Sequence, residues 1–180
     1  MDPEKTIVIP VRLDEKTFRR FARFDMFTLR KKWVRPAVFS VILLAFAAVA
    51  LLARKEQSGM IAAVLLIVGL GLPLVYIGTF LSQVNMQALR ARLKPAQLVY
   101  TVTLAKAGIT VENNRKTEGL LELEWSAVRQ AFRCKGCIYL YVTAAKAFLL
   151  PDGQAGIPDR EVWDYLKYHL GSEKCRDYRR

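Results

Sequence analysis

Histidine occurs once in the 180 residues. A Ser-His-Asp or Cys-His arrangement would therefore have to use His169, which falls on a segment of helical spacing near the end of the sequence. Cysteine occurs three times, as Cys134, Cys137 and Cys175. That is too few for a disulfide framework and too few for a full zinc site without borrowed ligands. No Walker or dinucleotide glycine fingerprint is present, no internal repeat appears, and no cleavable leader precedes the first apolar run. These absences remove the common catalytic sets, and the expectation is a protein that is not an enzyme and carries no cofactor or metal.

Charge is missing from two long stretches. Pro36 to Ala53 carries none; Arg54, Lys55 and Glu56 interrupt; and no charge returns until Arg90. A bilayer core needs about 20 mostly apolar helical residues. Spans at about 36–53 and 60–81 satisfy that length, the first with Arg35 and Arg54 placed to snorkel at its ends. The 36–89 stretch thus reads as a transmembrane hairpin. Neither span holds an Asp, Glu, Lys, Arg or His, so a proton or ion pathway through it has no obvious relay. Gly69, Gly71 and Gly78 would permit close helix packing, within the hairpin or between copies in a homo-oligomer.

The formal charge of +12 is concentrated beside these spans. Arg19, Arg20, Arg23, Arg30, Lys31, Lys32 and Arg35 precede the first, and Arg90, Arg92 and Lys94 follow the second, against Arg54 and Lys55 between them. This asymmetry places both termini in the cytoplasm of a bacterial inner-membrane, multi-pass protein. It also gives the basic excess a purpose other than nucleic acid, for which no aromatic platform or basic groove is evident.

Before the hairpin, Thr6 to Leu13 is β-branched and alternating, a strand whose Pro10 belongs at an edge or bulge. Asp14 would cap a helix running from Glu15 into the membrane. Phe18, Ala22, Met26, Leu29 and Trp33 fall on one face of it, with Arg19, Arg23 and Arg30 beside them. One reading is an interfacial helix on anionic lipid, with Arg19, Arg23, Arg30, Lys31, Lys32, Arg35 and Trp33 at the membrane surface; the other is a helix docked on the soluble domain. After Pro95 the spacing predicts strands over 98–104, 109–112, 120–125, 128–134, 137–143 and 148–150, a helix over 159–170 framed by Pro158 and Gly171, and a frayed basic tail over 172–180. The organisation expected is 1–35 as strand and basic helix, 36–89 as hairpin, 95–171 as a cytoplasmic β domain, and 172–180 as tail. The first strand has no sheet to join except the one after residue 95, so the hairpin is expected to interrupt a single domain.

Cys134-Lys-Gly-Cys137 is the one motif with a mechanistic reading, a redox pair or half a metal site. A redox pair belongs at a helix N-terminus, which lowers the thiol pKa, whereas this one straddles a predicted hairpin turn. Two ordinary cysteines is the simpler reading. Glu122 and Glu124 share one side of a strand and read as a solvated face.

The order of these elements, with Trp125-Ser126-Ala127-Val128 and the ending Ala147-Phe148-Leu149-Leu150-Pro151 before a polar loop and last helix, resembles the YcxB-like bacterial membrane proteins. The resemblance implies a membrane α+β architecture: a two-helix hairpin and a small antiparallel pleckstrin-homology-like (PH-like) domain capped by a C-terminal helix. It implies no catalytic residues. The functional expectation is a membrane-anchored binding or interaction module whose partners are the bilayer, anionic headgroups and an unidentified protein. The alternatives are a thiol redox or metal protein using the CxxC, and an accessory subunit of a transport or stress-response complex.

Overall fold

A computed structural model describes residues 5–53, 57–114, 119–144 and 146–179. Arg54, Lys55 and Glu56, on which the expected loop charge rests, lie outside the described residues. The fold is α+β. The chain divides into two compact units, one formed by residues up to Phe18 together with those from Arg92 onward, the other by Arg19–Ala91.

In the first unit, β1 (Ile7–Leu13), β2 (Gln97–Ala105), β3 (Gly108–Asn113) and β4 (Leu120–Leu123) form an antiparallel sheet in that order. The β-branched alternation of β1 becomes strict alternation of burial, with Ile7, Ile9, Val11 and Leu13 inward. Their neighbours on that face are Val102, Leu104, Ile109 and Val111, all buried. Each such side chain contributes roughly 1.5–3 kcal/mol on full burial. The strand before the apolar stretch thus pairs with a strand after it, as its sequence position required. Pro10 lies on an edge strand, where its missing N–H costs no ladder bond, and the register shifts between Val11 and Arg12. At that point Arg12 N–H donates to Gln154 Oε1 at 2.7 Å and Gln154 Nε2 donates to Arg12 O at 2.9 Å.

The second sheet runs β7 (Ala147–Pro151), β6 (Cys137–Tyr141), β5 (Gln130–Cys134), β8 (Cys175–Asp177). All pairs are antiparallel except β5 with β8. β5 and β6 turn through Lys135-Gly136, and Gly136 takes the positive φ of 83° that a two-residue hairpin demands. Tyr100 ties the two sheets together. Its buried hydroxyl donates to Leu149 O at 3.1 Å and accepts from Leu149 N–H at 2.8 Å. α4 (Asp159–Leu170) packs against β5 and β8 and buries Val162, Trp163, Tyr165, Leu166 and Leu170.

The strands expected over 128–134 and 137–143 shorten to Gln130–Cys134 and Cys137–Tyr141, and two further expectations need correction here. The strand expected over 120–125 ends at Leu123, because Trp125 enters a short 3-10 turn and its indole Nε1 donates to Ala105 O at 3.0 Å. The segment expected to fray after Gly171 instead makes a 3-10 turn and β8. Glu122 and Glu124 are exposed, as a solvated face requires.

Asp14 caps α1 (Glu15–Arg23): its Oδ1 accepts from Thr17 N–H at 2.8 Å, and that bonding holds its carboxyl below the usual range. The expected single helix from Glu15 onward is broken. Phe24–Leu29 winds as a π-helix, Lys31 has φ 47°, and a new helix, α2 (Val34–Leu52), begins. The wider π turn puts residues five apart on one face. Asp25 exploits it twice, its carbonyl accepting from Arg30 N–H at 2.9 Å and its carboxylate pairing with Arg30 Nε at 2.9 Å. Three consecutive cations at 30–32 then end the helix where no glycine or proline marks a stop.

In the second unit α2 packs on α3 (Ser58–Arg90). Both are long and apolar enough, by length and composition, to cross a membrane, and little of either apolar stretch is buried.

Candidate functional site

The residues proposed for a surface contact precede or open α2 in the chain, and the structure sorts them. Arg23, Lys31, Lys32, Trp33 and Arg35 are exposed. Arg19 is half-buried and Arg30 is drawn into its ion pair with Asp25, so neither presents charge as the others do. Arg20, counted in the sequence only toward orientation, is exposed one helical turn from Arg23 and joins the group. Trp33 is 42% exposed with its Nε1 donating to Phe27 O at 3.3 Å. Phe27 in turn meets Phe80 edge to face, with centroids 6.2 Å apart. In chain order the result is a collar of exposed cations at positions 20, 23, 31, 32 and 35 interleaved with two exposed aromatic rings, Phe27 and Trp33, with the apolar surface of α2 beginning immediately at Val34, Val38 and Phe39.

The glycines of α3 divide by use. A Cβ on Gly69 would lie 3.3 Å from Leu43 Cβ and 3.4 Å from Leu44 Cδ2, so Gly69 belongs to the seam with α2, with buried Ala47 and Ala62. A Cβ on Gly71 or Gly78 would meet no other side chain or helix within 4 Å among the described residues; Gly71 lines an apolar concavity of about 450 Å³ with Val68, Leu72 and Val75. Of the three glycines, Gly69 is consumed within the hairpin and the other two are not. Gly69→Val should therefore separate the helices and lower thermal stability in detergent by an overpacking cost of about 1–3 kcal/mol. Gly71→Val should leave that stability unchanged or raise it. Equal losses in the two variants would place the seam elsewhere.

Cys134 and Cys137 face each other as the last pair of the β5–β6 ladder, both buried and unbonded. Burial pushes the Cys134 thiol up to about 12 and raises Cys137 as well, with Asp152 adding to the latter. A redox or metal-binding cysteine needs the opposite shift, toward thiolate. Neither cysteine belongs to a group of three ligand-type side chains among the described residues. His169 stacks on Trp125 at 4.6 Å and 10°, with Tyr165 beside it. Burial lowers its pKa, and its Nε2 has no hydrogen-bond partner among the described residues. It packs as an aromatic ring.

Sequence reading missed Tyr100 and Arg133. Alternation marks Tyr100 as inward but names no partner for its hydroxyl. Arg133 is 4% exposed and lies over the Trp163 ring at 5.8 Å; nothing in a charged residue of a strand announces burial.

No family model, curated protein or solved structure matches this chain.

Proposed function

We propose that the protein is a non-catalytic interaction module anchored in the bacterial inner membrane. α2 and α3 cross the bilayer as a hairpin, both termini face the cytoplasm, and the collar at Arg20, Arg23, Lys31, Lys32 and Arg35 meets anionic headgroups. The observation that carries this reading is the sharp change of surface at residue 34. Apolar side chains such as Val41, Phe46 and Val49 point outward along α2, which the core helix of a soluble protein would not allow. Its 19 residues reach about 28 Å, near the thickness of a bilayer core. Counting back from Leu43 to Trp33 and forward from Gly69 along the antiparallel neighbour brings Trp33 level with Thr79, close to the end of the uniformly apolar part of α3. An aromatic ring and a group of cations at that depth suit the headgroup boundary. Four antiparallel strands, then three, then a helix support the PH-like reading of the other unit and the resemblance to YcxB-like proteins.

Cysteine labelling in intact and permeabilised cells tests the arrangement. An impermeant maleimide should reach Gln57→Cys from outside and Glu122→Cys only after permeabilisation; labelling of both from one side would sink it. In native mass spectrometry the full chain should retain phosphatidylglycerol over phosphatidylcholine. A Lys31→Gln, Lys32→Gln, Arg35→Gln variant should lose most of that preference, since each such charge contributes about 1 kcal/mol near an anionic surface.

A further inference from the structure

β5 is built as an interior strand but has a minimal neighbour on one side. Ala131, Phe132, Arg133 and Cys134 are all buried. β8, which covers that edge, is three residues long; only Cys175 is half-buried, and Arg176 and Asp177 are exposed. Its pairing is the one parallel contact among the described strands, with Ala131 opposite Cys175, Phe132 opposite Arg176 and Arg133 opposite Asp177. Besides the packing of α4 on β8, further contacts help hold the segment. Tyr178 N–H donates to Arg133 O at 2.7 Å, the Tyr178 ring lies 5.9 Å from that of Phe132, and Lys174 Nζ donates to Val128 O at 3.1 Å. A strand that buries so little of itself opens at small cost. The edge beneath it is the opposite case: bared, it would present unpaired backbone groups and Phe132 to water, a template for strand addition.

We propose that the β5 edge, beside α4, is a strand-acceptor site that the chain keeps filled with its own residues 175–178. Its partner is an extended peptide that runs parallel to β5 and carries an aromatic side chain three residues after a small one, as Tyr178 follows Cys175. The intramolecular segment is the template for what the site accepts and the competitor that keeps it closed. The inference deepens the interaction-module reading and rests on it only in that the soluble unit binds a partner; it can fail while the membrane arrangement holds, and the reverse.

The test uses the full chain in detergent micelles and a fluorescein-labelled peptide matching Ser172–Arg179, followed by anisotropy. Tyr178→Pro removes both the N–H donor and the ring and should free the edge. That variant is expected to bind the peptide at least 10-fold more tightly than the wild-type chain, whose tethered segment competes at high effective concentration. A peptide with alanine in place of its tyrosine should not bind. A folded Tyr178→Pro variant that binds no better than wild type overturns the proposal. So does capture of a second copy's segment in a mixed dimer without capture of the free peptide, which would assign the edge to self-exchange. Native-state hydrogen exchange on the wild-type chain gives an independent check. The Tyr178 amide should exchange at least 10-fold faster than the amides of β6, and equal protection would show that β8 does not open separately.

Discussion

Replacing Tyr100 with Phe is expected to lower the unfolding free energy of the soluble unit by about 2–4 kcal/mol. The hydroxyl satisfies both backbone groups of Leu149, in a site where Tyr100 itself is only 9% exposed. Removing one oxygen therefore leaves a buried donor and a buried acceptor together, each carrying an uncompensated desolvation cost of about 1–3 kcal/mol. The ring stays, along with its edge-to-face contact with Phe148 at 5.7 Å, so the loss belongs to the hydrogen bonds and not to packing. Burial raises the pKa of the phenol, and the bonded neutral form persists through the physiological range. Urea titration in detergent micelles gives the total, and hydrogen exchange locates it. Protection at the Leu149 amide should fall more than protection in β2 or β6. A uniform small loss, or none, would mean that the sheets are joined by apolar contact alone.

What the sequence made legible follows from the range of the interactions that decide each element. β1 and α4 are governed by signals inside or beside themselves: β-branched alternation for the first, Pro158 and Gly171 for the second, and α4 begins at Asp159 and ends at Leu170 as those residues dictate. The apolar stretches are equally local, and so are α2 and α3. The misses were decided at a distance. β8 exists because β5 has an open edge more than 40 residues earlier, and its own polar composition gives no hint of a strand. Trp125 leaves β4 to reach a carbonyl in β2. The break after Arg23 is intermediate, since the Asp25–Arg30 pair is close in sequence, but a five-residue separation is off the spacing that marks an α-helix and so escapes a search at that period. Within the collar, exposure divided residues that spacing could not. Arg23 and Arg30 look alike on a helical wheel, and only the ion pair with Asp25 tells them apart.

Trp163→Ala should be the more damaging change, at about 3–5 kcal/mol, the range for emptying a buried indole site. Trp163 is 2% exposed on the inner side of α4, but volume is only part of its role. Arg133 Cζ lies 5.8 Å from the ring centroid and Lys167 Nζ 5.7 Å from it, so the indole supports two cations, one of them almost wholly buried. Among the described residues Arg133 Nε has no hydrogen-bond partner; Asp152 and Asp177 act on its charge, and the aromatic face beside it compensates a further part of the cost of holding that charge out of water. Truncating the tryptophan thus removes packing and the aromatic face that helps hold a buried guanidinium. The two contributions separate in a double-mutant cycle. In an Arg133→Met background no buried charge remains for the ring to help hold, and Trp163→Ala should cost about 0.5–2 kcal/mol less than in the wild-type chain. Additive losses would show that the ring acts by volume alone. Trp163→Phe refines the point, since it keeps an aromatic face beneath Arg133 and gives up an indole N–H that has no partner. Its loss should be less than half that of the alanine variant.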